Sequence, residues 1–386
     1  MEFLLDGIMA VLGPGGWKMI AMYIVGIALI VLAVKKEYEP SLLLPLGFGA
    51  ILVNLPYSGV IDQLVQNKVE AAGIIQWLFE VGIEASEAMP ILLFIGIGAM
   101  IDFGPLLSQP VLFLFGAAAQ FGIFAAILIA CLMGFDLKDA ASIGIIGAAD
   151  GPTSILVSQV LGSNYMGPIA VAAYSYMALV PIIQPFAIKL VTTKKERCIH
   201  MQYNPGDVSR GMRIAFPIAV TIIVGFISPQ SVALVGFLMF GNLLRECGVL
   251  NSLSQAAQNE LANIITLLLG ITISFSMRAE QFVNPATLMI MALGLVAFVF
   301  DTIGGVLFAK VVNVFLKMAG KPPVNPMIGG CGISAFPMSS RVVQKMAAEA
   351  EPGNIILMQA AGTNVSGQVA SVIAGGLVIS IVTQYL

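Results

Sequence analysis

The chain has 386 residues, of which 58% are hydrophobic and only 10% are charged, with a formal net charge of -3. A soluble globular protein carries roughly 25% charged residues, so too few charges are present here to cover a water-facing surface, and nucleic-acid binding has no support. The mean hydropathy of +0.96 and several apolar runs of about 20 residues, the length that a helix needs to cross hydrocarbon, predict an all-α polytopic membrane protein in contact with the lipid bilayer.

Ten apolar runs predict about ten transmembrane helices. The region between the second and third runs, residues 60–87, is mixed and contains Trp77 and Phe79 among acids. It predicts a loop that leads into an interfacial helix. The predicted spans lie at residues 17–34, 41–58, 88–103, 110–134, 164–190, 211–227, 229–244, 262–278, 286–310 and 354–384.

Two further stretches are too rich in glycine, proline and charge for ordinary spans. Residues 138–160 and 321–345 share the template Gly-x-x-Gly-x-x-x-x-Pro-x-Ser, which begins at Gly144 and at Gly329. Irregular backbone at membrane depth is tolerated only where protein or water satisfies its polar groups. Both stretches are therefore predicted to be re-entrant hairpins. The simpler alternative is two loops that share common turn residues.

Lysine and arginine in short loops mark the cytoplasmic side of a membrane protein. If Lys35 and Lys36 are cytoplasmic, crossing the membrane at every predicted span also places the 194–213 loop, Arg245 and the basic residues of 310–321 in the cytoplasm. Both termini are then external. The first hairpin enters from outside and the second from inside.

The order span, span, hairpin, span occurs twice, in units that begin on opposite sides of the membrane. Gly98 and Phe103 in the first unit correspond to Gly270 and Phe275 in the second. Inverted repeats with broken helices are typical of ion-coupled transporters. We therefore predict N-terminal scaffold spans with an interfacial segment (1–87), repeat 1 with the Asp150 hairpin (88–195), connecting scaffold spans (196–261) and repeat 2 with the Asn325–Arg341 hairpin (262–386).

Asp150 is the acid with the strongest functional setting. An acid in a membrane segment costs about 2.5–3.5 kcal/mol and is a functional candidate by default. Thr153 and Ser154 add hydroxyl groups beside it, and hard cations such as sodium prefer oxygen ligands. The alternative role is a hairpin-capping aspartate. Asp301, deep in the 286–310 run, is the rival acid but has no Gly-Pro setting.

For the other polar residues near the hairpins, the sequence leaves both a functional and a structural role open. Arg341 either neutralises Asp150, holds an anion or repels cations, or it is a cytoplasmic topology anchor. Tyr174 and Tyr176 are either membrane-belt residues or include a phenol that relays a proton. Neutral oxygen carriers near the second hairpin are either ligands or helix-packing residues; these are Asn325, Ser334, Asn364 and Ser366.

The segment Gly-Ala-Ala-Asp-Gly-Pro-Thr-Ser at 147–154 resembles the beta subunit of the biotin-dependent sodium-pumping decarboxylases. The resemblance continues through Ala-Tyr-Ser-Tyr-Met-Ala-Leu-Val-Pro at 173–181 and covers nearly the whole chain from about residue 88. It includes the motifs at 325–329, 334–341 and 362–367. These enzymes act on oxaloacetate, methylmalonyl-CoA, glutaconyl-CoA or malonate.

The resemblance implies specific roles for residues of this chain. It implies that Asp150 is the central sodium and proton residue and that Tyr176 and Arg341 belong to the catalytic set. It also implies a sodium-ligand set that consists of Asp150, Asn325, Gly329, Ser334 and Asn364.

The resemblance further implies partners and an assembly. The implied partners are a carboxyltransferase (alpha) subunit, a biotin carrier that holds the biotin, and a small membrane (gamma or delta) subunit. The implied assembly is an elevator-like homotrimer in the bacterial inner membrane. The expected function is decarboxylation of carboxybiotin coupled to outward sodium transport with proton consumption. A sodium-coupled carboxylate carrier is the first alternative, and a non-catalytic membrane anchor is the second.

Overall fold

The computed structural model describes residues 5–37, 40–65, 68–85, 87–201 and 208–385. These ranges are almost entirely helical, and the two strands they contain, β1 (Asp62–Val65) and β2 (Lys68–Ala72), form one small antiparallel hairpin. The prediction of an all-α polytopic membrane protein is therefore confirmed.

Helices fill the N-terminal region and the first predicted unit. The N-terminal region contains α1 (Asp6–Leu12), α2 (Gly16–Lys36), α3 (Pro40–Asn54) and α4 (Ile74–Phe79), and a π-helical turn (Glu80–Glu84) continues α4. The first unit contains α5 (Ala88–Met100), α6 (Gly104–Ser108), α7 (Leu112–Ala119), α8 (Phe121–Leu132), α9 (Leu137–Gly144), a 3-10 turn (Ile145–Ala148), α10 (Gly151–Val160) and α11 (Met166–Val191).

The described remainder of the chain is also helical. Its connecting region contains α12 (Lys194–Arg197), α13 (Arg210–Ile227), a 3-10 turn (Pro229–Ser231), α14 (Val232–Glu246), α15 (Asn251–Ala256) and a π-helical turn (Ala257–Leu261). The second unit contains α16 (Ala262–Ile273), a 3-10 turn (Ser274–Met277), α17 (Ala279–Phe282), α18 (Pro285–Met318), a second 3-10 segment (Pro326–Gly332), α19 (Met338–Ala350) and α20 (Leu357–Tyr385).

Within the described ranges, seven continuous helical stretches are long and apolar enough to cross a membrane. Ile74–Glu84 and Ala88–Met100, which are bent by 66° relative to each other, reach the same length and apolarity when the pair is counted as one span. The other two predicted spans correspond to α3 and α14, which have 15 residues each. That α3 and α14 cross the membrane, which the total of ten spans requires, therefore stays a prediction.

Both predicted hairpins are helices interrupted in the middle. In the first, Ala149 has a φ of 52° and Asp150 is extended, so the chain leaves the 3-10 turn and starts α10 in a new direction. Pro152 lies in the first turn of α10, where its missing N–H costs no helical hydrogen bond. In the second, Ile333 is extended after the 3-10 segment, and Pro337 directly precedes α19.

Glycines allow the first helix of each unit to cross a helix from outside that unit. A Cβ on Gly98 of α5 would lie 1.9 Å from the carbonyl oxygen of Leu238 in α14. A Cβ on Gly270 of α16 would lie 3.0 Å from the carbonyl oxygen of Leu42 in α3. Small residues let helix backbones approach closely in membranes. Gly98 and Gly270, which correspond in the two predicted units, therefore each allow close contact with the backbone of a neighbouring helix.

The two interrupted segments pack on the same long helix, α18. A Cβ on Gly147 of the first would lie 2.7 Å from a carboxylate oxygen of Asp301 in α18. A Cβ on Gly329 of the second would lie 2.0 Å from the carbonyl oxygen of Gly305, one turn further along α18. This shared support brings the two helix breaks together in the interior.

Candidate functional site

Asp150 lies at the break of the first hairpin, with a side chain that is only 3% exposed. Its extended backbone makes it the N-cap of α10. Its Oδ1 accepts a long hydrogen bond from the Thr153 backbone N–H at 3.4 Å, and its Oδ2 accepts one from the Thr153 hydroxyl at 2.7 Å. The capping role weighed from the sequence is therefore present, and further contacts add to it.

Ser334 joins the second hairpin to this carboxylate. Its backbone N–H donates to the carbonyl oxygen of Ala148 at 2.9 Å. Its hydroxyl donates to Asp150 Oδ2 at 3.0 Å. Backbone and side chain of one residue thus connect the two helix breaks.

Helix α20 supplies two more donors to the same oxygen. Gln368 Nε2 lies 3.4 Å and Ser371 Oγ lies 3.3 Å from Asp150 Oδ2. With Thr153 and Ser334, four side chains converge on this oxygen, and donors of this kind stabilise a negative charge. The sequence prediction did not include Gln368 or Ser371. Their spacing from Asn364, at i+4 and i+7, marks one polar helix face and was the available signal.

A cavity of ≈ 200 Å³ opens beside Asp150. Tyr174 of α11 lines it, and a Cβ on Gly151 would lie 2.3 Å from the Tyr174 ring. The Tyr174 hydroxyl is buried and has no hydrogen-bond partner within the described part of the chain. Other lining residues come from α16, α20 and the second hairpin; they include Asn263, Thr266, Ser334 and Gln368.

Tyr176, the tyrosine implied by the resemblance, makes a different contact. Its hydroxyl donates to the backbone carbonyl of Met291 in α18. Tyr174 and Tyr176 lie two residues apart on α11, and each residue turns the helix by about 100°. Their side chains therefore leave the helix on roughly opposite faces. The structure thus directs the Tyr174 ring to the cavity at Asp150 and uses Tyr176 to join α11 to α18.

The other residues implied by the resemblance are distributed along the second hairpin. Asn325 caps the 3-10 segment through the Met327 N–H at 3.1 Å and donates to the carbonyl oxygens of Arg197 and Ile199 at 2.9 Å each. These bonds hold the loop after α12 rather than the Asp150 carboxylate. Gly329 packs against Gly305, as described above.

Asn364 and Arg341 differ sharply in environment. Asn364 is fully buried, and its Nδ2 donates to the carbonyl oxygen of Ile333 at 2.8 Å. Arg341 is exposed near the start of α19, and its backbone N–H contacts the Pro337 carbonyl. Asn364 therefore belongs to the surroundings of the second helix break, and the Arg341 side chain lies at the protein surface.

Asp301, the second intramembrane acid, lies outside this network. Its Oδ1 accepts a hydrogen bond from the Ile123 N–H at 3.0 Å, at the start of α8. Its Oδ2 is buried and has no partner among the described residues. The contact to Ile123 caps a helix end, which needs such a partner because its first N–H groups have none within the helix.

Comparison with known proteins gives consistent matches over almost the whole chain. The family model described as the Na+-transporting oxaloacetate decarboxylase beta subunit matches residues 18–382. The methylmalonyl-CoA decarboxylase subunit beta of Propionigenium modestum is 45% identical, with 94% of each chain covered. The glutaconyl-CoA decarboxylase subunit beta of Acidaminococcus fermentans is 44% identical over 95% of this chain and 94% of that one. A probable oxaloacetate decarboxylase beta chain of Vibrio cholerae is 41% identical over 95% and 96%.

Proposed function

The chain belongs to the family of Na+-transporting oxaloacetate decarboxylase beta subunits, and on this premise we propose that Asp150 couples decarboxylation to sodium movement. The substrate is carboxybiotin, delivered to the cytoplasmic face by a partner subunit. Its N–C bond breaks, carbon dioxide leaves and the ring nitrogen takes up a proton. Asp150 supplies that proton and binds sodium in exchange, and the cycle moves sodium outward.

The observation that carries this proposal is the arrangement of oxygen atoms around the buried Asp150 carboxylate. Among the described residues, several donors hold Oδ2, whereas Oδ1 has only the 3.4 Å bond from Thr153. A hydroxyl that donates to a carboxylate still has lone pairs for a cation. Ser334 and Ser371 can therefore hold the carboxylate and coordinate sodium together. Moving one charge against 100 mV costs about 2.3 kcal/mol, so decarboxylation has a modest electrical cost to meet per ion.

The lining of the cavity favours a pump over a carboxylate carrier. Among the described residues that line it, none is Lys, Arg or His. A carboxylate substrate needs a positive partner when it is desolvated, and Arg341 is exposed. The cavity therefore suits a cation better than an organic anion. The buried Asp150 with its four side-chain donors also argues against a non-catalytic membrane anchor, which would need no such group.

The proposed partners and assembly follow from the family. We propose a carboxyltransferase (alpha) subunit, a biotin carrier and a small gamma or delta membrane subunit, with this chain as a homotrimer in the bacterial inner membrane. The predicted order span, span, hairpin, span and the positions of the basic loops in the sequence support units at 88–195 and 262–386 in inverted orientation, with 1–87 and 196–261 as scaffold. The names of the relatives provide oxaloacetate, methylmalonyl-CoA and glutaconyl-CoA as candidate substrates, and malonate is added by resemblance.

The test uses the complex purified with its native partners. Sodium-stimulated release of carbon dioxide is first measured on the four candidate substrates. Asp150→Asn should leave the complex assembled but abolish sodium-dependent decarboxylation. The matched control is Asp301→Asn, another buried acid, because asparagine keeps the oxygen that caps Ile123. Near-normal sodium-dependent activity in Asp150→Asn would refute the proposal.

A further inference from the structure

Three consecutive residues at the break of the second hairpin are each contacted by a buried polar side chain from a different element. Ser334 binds Asp150, and the Ile333 carbonyl accepts from Asn364 Nδ2. The Gly332 carbonyl accepts from Gln120 Nε2 at 3.3 Å. Gln120 lies between α7 and α8, and its Nε2 also donates to the Gly116 carbonyl at 3.0 Å. The first hairpin, α20 and the junction of α7 and α8 thus meet at residues 332–334.

The orientation of the two amide groups follows from their partners. A backbone carbonyl can only accept a hydrogen bond, so the NH₂ groups of Gln120 and Asn364 must face Gly332 and Ile333. Their amide oxygens consequently point elsewhere. Gln120 Oε1 and Asn364 Oδ1 are both buried and have no hydrogen-bond partner in the described ranges. A buried polar oxygen without a partner costs free energy unless something in the native cycle satisfies it.

The packing around Gln120 leaves space for these groups only because the neighbours are small. A Cβ on Gly332 would lie 2.6 Å from Ala119 Cβ, and a Cβ on Gly367 would lie 2.3 Å from the Gly332 carbonyl oxygen. Helices α7 and α20 therefore hold the Gly332 backbone from two sides. Gln120 itself is only 4% exposed, so bulk water does not satisfy its oxygen.

We propose that Gln120 is a further sodium-binding residue, whose Oε1 acts with Asn364 Oδ1 and the Asp150 carboxylate to coordinate the transported ion. The inference rests on the proposed sodium exchange at Asp150 and adds a ligand to it. Sodium prefers oxygen ligands. The amide groups of Gln120 and Asn364 are anchored by their nitrogens at adjacent carbonyls, one and two residues before Ser334, which contacts the Asp150 carboxylate. When sodium binds, the two unpartnered oxygens gain a partner. Gln120 also brings a ligand from the first unit to the break of the second.

The experiment compares Gln120→Met, which removes the amide at similar volume, with Gln184→Met. Gln184 is also a buried glutamine whose Oε1 has no partner among the described residues, and its Nε2 donates to the same hairpin at the Gly330 carbonyl. The comparison therefore isolates the position of the amide beside Gly332. Decarboxylation by the purified complex is measured against sodium concentration at constant ionic strength, and then against lithium. Thermal unfolding of the purified full chain is measured with and without sodium. Gln120→Asn is the second variant, because it keeps an amide but withdraws its oxygen.

A ligand role predicts a change in ion dependence. Gln120→Met should raise the sodium concentration for half-maximal activity by about tenfold, the usual effect of losing one polar contact to a charge. Its ratio of lithium to sodium requirements should change, and sodium should protect it less against unfolding. Gln184→Met should leave the ion ratio unchanged. If Gln120→Met fails to assemble, the same changes are expected in Gln120→Asn.

Two results separate this inference from the proposed function. If Gln120 variants keep the wild-type sodium requirement and ion ratio while Asp150→Asn is inactive, Gln120 is a packing residue and the inference is overturned. If Asp150→Asn retains sodium-dependent activity, the proposed function fails first. Equal changes in the Gln120 and Gln184 variants would also contradict a specific ligand role, since they would indicate a general loosening of the hairpin.

Discussion

Ser334 and Asp150 are separated by 184 residues in the chain, and the Ser334 hydroxyl donates to the Asp150 carboxylate at 3.0 Å. The bond joins the breaks of two interrupted segments that share a sequence template. Asp150, the candidate ion ligand of the first hairpin, is thus held by the second hairpin. The position of one hairpin relative to the other therefore determines whether the Asp150 carboxylate keeps this hydrogen bond.

Ser334→Ala should weaken sodium binding without unfolding the protein. The change removes one hydrogen bond to a charged group, which is worth about 1.5–3 kcal/mol. We expect the sodium concentration for half-maximal decarboxylation to rise by about tenfold or more. The matched control is Ser340→Ala, on the same hairpin, because the Ser340 hydroxyl bonds only the local Pro337 carbonyl among the described residues. Equal sodium requirements in the two variants would contradict the role of Ser334.

The two tyrosines of α11 should have separable effects. Tyr174→Phe alters the cavity beside Asp150 and should shift the sodium concentration for half-maximal activity. Tyr176→Phe loses the hydrogen bond to Met291 and should destabilise the protein by about 1 kcal/mol. Sodium titration of the complex and thermal unfolding of each variant measure the two effects. The assignment of Tyr174 to the cavity is wrong if its variant keeps the wild-type sodium response.

Gly151→Ala should disturb the first hairpin severely. Its new Cβ would lie 2.3 Å from the Tyr174 ring, so the ring or the start of α10 must move. Overpacking of this kind costs about 1–3 kcal/mol, and sodium-dependent activity should fall with the unfolding temperature. Gly211→Ala is the control, because Gly211 lies in α13 with no atom within 4 Å of an added Cβ. Alanine within a helix stabilises by about 0.5–1 kcal/mol relative to glycine.

The contacts of Glu196, in the segment after α11, should make the free energy of unfolding slightly dependent on pH. Burial alone would raise the pKa of Glu196, but hydrogen bonds from the Thr193 backbone and from Lys310 outweigh it and hold the pKa below its ordinary value. The stabilisation is therefore present above the ordinary pKa of glutamate and is lost as pH falls through the lower folded-state pKa. Glu196→Gln should cost about 0.2–1 kcal/mol at pH 7, the usual range for exposed pairs.

The difference between Glu196→Gln and the unmodified protein should disappear in acid. Thermal unfolding of the purified chain, measured from neutral to acidic pH, tests this. A difference that grows as the pH falls would contradict the assigned sign. His200 lies 3.2 Å from Glu351, and the series is repeated with His200→Gln as the control for that contact.

Sequence alone predicts the spans, both helix breaks and Asp150. Apolar runs identify membrane helices because water-exposed polar groups are absent there, and glycine with proline reveals where a helix stops. Asp150 is visible because a charge between two long apolar segments is unusual. These features depend on local composition, so no knowledge of tertiary contacts is needed.

The other residues that contact Asp150 are brought there by contacts between distant parts of the chain. Gln368 and Ser371 are neutral residues of α20, where such side chains usually serve helix packing. Only the folded chain brings Gln368 to Asp150, across 218 residues. Likewise, the choice between Tyr174 and Tyr176 depends on how α11 is rotated against its neighbours, which periodicity in an almost wholly apolar helix does not reveal.

The backbone hydrogen bond from Ser334 to Ala148 restricts how an ion can enter and leave. Because this bond and the Ser334 contact to Asp150 hold the tips of both hairpins to each other, parting them would expose unsatisfied peptide groups at membrane depth, which is costly. The two hairpins should therefore move together as one rigid unit when an ion enters or leaves.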